Sequence, residues 1–128
     1  MAGEAGEFTV DPAPVLRGSV AGEGTPIVLC HGLTASRRYV VQGSRALERA
    51  GHRVILYDAR GHGESDPAPA GQSYGYPELI ADLERVVAAE LGDERFLLGG
   101  HSMGAHTAVG YALAHPDRLS GLVIIGPT

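Results

Sequence analysis

A chain of 128 residues is long enough for one domain with a real core and too short for two. Hydrophobic residues at 44% and charged residues at 20% are the proportions of a globular domain, and a net charge of −5 without a basic run argues against nucleic acid or an anionic membrane as partner. All ten basic residues are arginines, which excludes a Schiff base, a Ser–Lys dyad and a phosphate loop ending in Gly-Lys-Ser/Thr, while the single cysteine, Cys30, excludes an internal disulfide framework and a cysteine-rich zinc site.

Residues 1–14, rich in Gly, Glu and Pro, read as a flexible tail, and 15–128 as part of one domain. The segment Met1 to Glu7 is acidic and lacks the basic and apolar regions of a secretion signal. Apolar runs such as Leu122-Val123-Ile124-Ile125 fall far short of the ~20 residues a membrane span needs. A cytoplasmic protein without a membrane partner is the expectation. Val15 to Val20 reads as a weak strand, followed by a turn at Gly22-Glu23-Gly24. Pro26-Ile27-Val28-Leu29-Cys30 is apolar at every position, as in a parallel strand covered on both faces. Val40, Leu47 and Ala50 fall at helical spacing between Ser36 and Ala50, with Gly51 as a cap. Arg53 to Tyr57 is a second buried strand, and a Gly- and Pro-rich loop runs from Ala59 to Gly75.

Pro77 suits the first turn of a helix whose apolar face is Leu79, Ile80, Leu83, Val86, Val87 and Leu91, ended by Gly92. Phe96-Leu97-Leu98 is a third buried strand, Met103 to Ala114 a helix stopped before Pro116, and Leu119 to Ile125 a further strand. Strands alternating with helices predict an α/β fold, a mostly parallel sheet with helices on both faces.

Chemistry concentrates at Gly100-His101-Ser102-Met103-Gly104, a Gly-x-Ser-x-Gly motif between an apolar strand and a small-residue helix. A nucleophile elbow has that context: a tight turn displays the Ser102 hydroxyl, and Gly100 and Gly104 supply positions almost free of side chain. The helix beginning at Met103 aims free N–H groups and the positive end of its dipole at developing negative charge, so the Met103 N–H is a candidate oxyanion donor. His31-Gly32-Leu33 directly follows the Pro26–Cys30 strand. Tyr57-Asp58-Ala59-Arg60-Gly61-His62-Gly63-Glu64-Ser65-Asp66 follows the next one. The stretch Gly61-His62-Gly63-Glu64-Ser65-Asp66 begins like a dinucleotide fingerprint but lacks its third glycine, which weighs against a NAD-binding domain.

Together these three motifs, in this order, resemble the N-terminal portion of the α/β-hydrolase superfamily over about residues 15 to 127. The resemblance implies a fold ending after the sixth strand, Ser102 as nucleophile, and Leu33 and Met103 as oxyanion-hole donors. It makes His31, Gly32, Gly100 and Gly104 structural parts of the motifs, with His31 shaping its loop by hydrogen bonds. Asp58, Arg60 and Ser65 become a bracing network without a catalytic part. It implies no metal and no cofactor. A serine at position 102, where an aspartate would stand, argues against haloalkane dehalogenase and epoxide hydrolase relatives.

In that superfamily the triad runs serine, acid, histidine along the chain. Only His106, His115 and Asp117 follow Ser102 here. His106 lies one turn along the same helix, and His115 and Asp117 about 18 Å away by the helical rise, so none is expected to reach the hydroxyl. The expected function is hydrolysis of an ester or thioester of a small acyl substrate by a serine enzyme, with the triad acid and histidine missing from these residues and isolated activity weak or absent. The alternative is a non-catalytic binding module or inactive fragment. The Leu119–Ile125 strand is expected at a sheet edge, where an apolar edge invites self-association.

Overall fold

The computed structural model describes residues 6–32, 36–37 and 45–126. Its strands are β1 (Gly6–Val10), β2 (Leu16–Ala21), β3 (Thr25–Cys30), β4 (His52–Tyr57), β5 (Phe96–His101) and β6 (Leu119–Ile125). Its helices are α1 (Ala46–Arg49), α2 (Tyr76–Leu91) and α3 (Met103–Ala114), with a short 3-10 turn at Pro116–Arg118. The strands form one sheet in the order β1-β2-β4-β3-β5-β6. β3 runs parallel to both β4 and β5, and β5 parallel to β6, whereas β2 is antiparallel to β1 and β4. The α/β class and the mostly parallel sheet expected from the sequence are the observed ones.

Period-two side-chain alternation explains why the central strands are apolar throughout. Val28, Cys30, Ile55, Tyr57, Phe96 and Leu98 face α2 and α3, where they join Leu83, Val86, Val87, Leu91, Ala108 and Tyr111 in the main core. The alternate residues Ile27, Leu29, Val54, Leu56 and Leu97 face the other way and pack with Leu47 of α1. Helices thus cover both faces. Of the helix expected between Ser36 and Ala50, α1 accounts for the last turn, and Val40 lies outside the described residues.

Residues 6–10 do not belong to a flexible tail. They form β1, paired with β2 so that Phe8 sits opposite Gly18 and Val10 opposite Leu16. Phe8 and Val10 alternate with Glu7 and Thr9, and Val10 is buried in the main core. The Phe8 ring occupies the space that a side chain on Gly18 would need. Two apolar residues amid Gly, Glu and Pro are too weak a local signal; the cross-strand partner makes the strand. At the other edge lies β6, with Leu122, Val123 and Ile125 exposed. Among the described residues no helix is long and apolar enough to cross a membrane.

Candidate active site

Strand order decides where a ligand can sit. From β3 the chain moves outward to β4, then returns to the other side of β3 to form β5. The loops leaving β3 and β5 therefore part from each other, and an open α/β sheet has its crevice at such a reversal, beyond the carboxyl ends of the strands. His31 and Gly32 leave β3 at that point; His101 and Ser102 leave β5. The segments are adjacent, because a side chain added at Gly32 would place its first carbon 3.4 Å from the Ser102 Cβ and 3.1 Å from the His101 Nδ1.

Ser102 occupies the bend between β5 and α3 with φ 57° and ψ −115°, the one positive φ among the described non-glycine residues. Serine at a helix N-cap ordinarily accepts a hydrogen bond from the first turn. Here it makes no side-chain cap, although its carbonyl accepts from the Ala105 N–H at 2.9 Å and its own N–H reaches the Ile125 carbonyl at 3.0 Å. The backbone of Ser102 is thus held from both sides, and the residue as a whole is half-buried. Such a backbone conformation costs about 1–3 kcal/mol. Replacing Ser102 with glycine relieves that strain and adds about 0.4–1 kcal/mol of chain entropy to the unfolded state. Ser102→Gly is therefore expected to stabilise the fold by about 1 kcal/mol net in urea titration. A variant less stable than the parent would show the bend to be unstrained.

The flanking glycines are there for proximity. A Cβ on Gly104 would lie 2.5 Å from the Cys30 carbonyl carbon and 2.7 Å from the His31 carbonyl oxygen. One on Gly100 would lie 2.5 Å from the Gly104 carbonyl carbon and 2.7 Å from the Ala105 nitrogen. The first turn of α3 is seated directly on the backbone where β3 ends, and both contacts are to main-chain atoms that cannot rotate away. Within the first two turns of α3, Ala105 and Ala108 are fully buried and continue the close approach. At its start, Met103 carries a first-turn N–H beyond reach of any intrahelical carbonyl.

His31 is 2% exposed. Its Nδ1 lies 2.7 Å from the Gly32 carbonyl oxygen, and its Nε2 accepts the Ala59 N–H at 2.9 Å. Burial pushes its pKa below the ordinary 6.5, opposed by the hydrogen bond to Gly32. Leu33, expected to contribute the second oxyanion donor, lies outside the described residues. Behind the bend, Cys30 and Tyr57 are buried with Sγ and the phenol oxygen 3.5 Å apart. Burial raises the thiol to about 12 and carries the phenol well above its usual range, so both are neutral.

The loop after β4 is braced by two buried ion pairs. The Asp58 carboxylate accepts the Arg37 N–H at 2.8 Å and the Glu64 N–H at 3.1 Å, and also binds the Arg37 guanidinium. Arg37 in turn reaches Glu64 at 2.9 Å. The Ser65 hydroxyl donates to the Asp58 carbonyl and accepts the Arg17 N–H, tying the loop to β2. Arg60 meets Asp82 of α2 through two bonds of 2.6 and 2.9 Å, which raise the guanidinium pKa, and holds Gln72 and the Ser73 carbonyl as well. Sequence reasoning singled out Asp58, Arg60 and Ser65 but not their partners Arg37 and Asp82. Asp82 carried a signal, since it falls on the apolar face of α2 three residues after Leu79, and a carboxylate in that stripe must be paired.

The later histidines point elsewhere. His115 pairs with Glu84 and packs on Tyr111, and the His106 ring lies 5.4 Å from Tyr76. Among the described residues no group of three or more His, Cys, Asp or Glu could hold a metal ion.

The model of a family described as the alpha/beta hydrolase fold matches residues 25–128. The chain is 39% identical over 109 residues to a 2-hydroxy-6-oxononadienedioate/2-hydroxy-6-oxononatrienedioate hydrolase of Pseudomonas putida, covering 82% of this chain and 37% of that protein. It is 35% identical over 101 residues to epoxide hydrolase B of Mycobacterium tuberculosis, covering 79% of this chain and 28% of that one. Among solved structures, a thioesterase domain from the curacin biosynthetic pathway superimposes with TM-score 0.85 at 27% identity, over 94% of this chain and 46% of that one. The serine at 102 therefore does not set the chain apart from epoxide hydrolase relatives, because overall similarity is carried by the shared scaffold and not by one elbow residue. The chain spans about a third of the length of these two curated relatives. It belongs to the alpha/beta hydrolase fold family.

Proposed function

We propose that Ser102 is the nucleophile of a serine hydrolase acting on an ester or thioester. Its oxygen attacks the acyl carbon while a base takes the proton. The N–H groups of Met103 and, by the family resemblance, Leu33 hold the resulting oxyanion. The alcohol or thiol then leaves, and water releases the acid from the acyl-enzyme. The observation that carries this reading is the Ser102 backbone: a serine at positive φ that declines to cap its own helix, at the crevice between β3 and β5. Strain of that kind persists where the surroundings over-determine it, most often at functional sites. Similarity to a thioesterase domain supports the acyl class. An epoxide-opening role finds no support at position 102, since a neutral serine needs a base where an aspartate would already be ionised.

The two described histidines that follow Ser102 are not offered as the base, because His115 pairs with Glu84 and the His106 ring lies against Tyr76. Full-length protein should be labelled by a fluorophosphonate, with labelling lost in Ser102→Ala and kcat/KM for a small ester reduced at least about a thousandfold. Labelling that survives Ser102→Ala would overturn the assignment. The engagement of His106 and His115 by other partners favours a second reading, a binding module without turnover. Multiple-turnover ester hydrolysis by the 128-residue chain would remove it.

A further inference from the structure

The two ring nitrogens of His31 face partners that each allow one role. The Gly32 carbonyl opposite Nδ1 can only accept, so Nδ1 carries the proton. The Ala59 N–H opposite Nε2 can only donate, so Nε2 must present a lone pair. One protonation state alone, the neutral imidazole with hydrogen on Nδ1, satisfies both. We propose that His31 is a proton-operated latch: neutral, it ties the loop leaving β3 to the loop leaving β4, and a proton taken up at Nε2 parts them.

Among the described residues none offers the charged form an acceptor at Nε2. The His62 ring stands 5.2 Å from that of His31 and disfavours a second positive charge. Asp58 favours it, but both carboxylate oxygens are taken up by Arg37 and the Glu64 N–H. Cys30, Tyr57 and Asp82 share a small cavity with His31; the first two are neutral and the third is committed to Arg60 and Arg85. His101 adjoins Gly32 on the crevice side and is exposed. Burial is the largest influence on His31 and lowers its pKa from 6.5. The unfolded chain then binds the proton more readily than the folded one. The stabilisation from His31 is complete above about 6.5 and is lost as pH falls toward the lowered folded value.

Gly32 lies against Ser102, so opening the latch loosens the wall of the crevice where Ser102 is displayed. That consequence for turnover rests on the Ser102 reading; the latch itself does not. The test uses the chain labelled with nitrogen-15. Long-range proton–nitrogen spectra should show His31 with Nε2 unprotonated at neutral pH. As pH falls from about 6.5 through the His31 titration, exchange of the Ala59 amide, corrected for intrinsic pH dependence and referenced to Ile55, should rise by up to about tenfold per pH unit. In His31→Gln, which offers an acceptor and takes no proton, Ala59 protection should stay flat over that range. An Nε2–H tautomer, a His31 titration with Ala59 protection unchanged, or the same rise in His31→Gln would each overturn the latch. The wild-type titration decides without the variant, and every readout is independent of turnover.

Discussion

Gly104→Ala is expected to cost at least about 3 kcal/mol, the upper range for overpacking, because the added carbon meets main chain on the Cys30 and His31 side. A clash with a side chain can be relieved by a rotamer change. Here the obstacle is the backbone at the end of β3, fixed in the sheet by its neighbours on both sides. Relief requires α3 to lift away, which breaks the contacts of Ala105 and Ala108 with the core and shifts Ser102 relative to Gly32. Urea unfolding followed by circular dichroism measures the loss against a typical domain stability of about 5–15 kcal/mol. A variant within 1 kcal/mol of the parent would mean that the helix seat is looser than the structure has it.

Asp82→Ala should be comparably severe, about 3–5 kcal/mol, for an electrostatic reason. Arg60 is 3% exposed and cannot shed its charge, so removing the carboxylate strands a buried guanidinium. Arg85, 3.2 Å from the same carboxylate, loses a partner as well but is partly exposed and keeps its bonds to the Val10 and Pro14 carbonyls. Asp82→Asn keeps the shape and one acceptor oxygen and is expected to cost less than the alanine variant. The loop from Ala59 to Ser73 should loosen in both, because Arg60 holds Gln72 and the Ser73 carbonyl only from its paired position. Denaturant titration of the three proteins tests the order; equal stability of parent and Asp82→Ala would refute the ion-pair account.

Both predictions concern contacts between residues far apart in the chain, and they mark the limit of sequence reading. Most elements were legible because their signals are local. The α2 stripe from Leu79 to Leu91 repeats at helical spacing, and Pro26–Cys30 is apolar at each position. β1 was not legible, since Phe8 and Val10 become a strand only when Gly18 and Leu16 lie opposite. The same holds for the bracing ion pairs: Asp58 and Arg60 looked like a network within one loop, but they bind Arg37 and Asp82, more than twenty residues away in either direction. Nothing in local spacing selects a partner at that range.

The amino-acid order alone determined the alternation of strand and helix, the bend at Ser102 and the need for Gly100 and Gly104 beside it, because backbone sterics and side-chain periodicity act over a few residues. Tertiary structure decided the strand order that opens the crevice between β3 and β5, the partners of the buried charges, and the proton position on His31. Each of these depends on which distant groups meet in the folded chain, and burial makes an unmet polar group costly enough to enforce one answer.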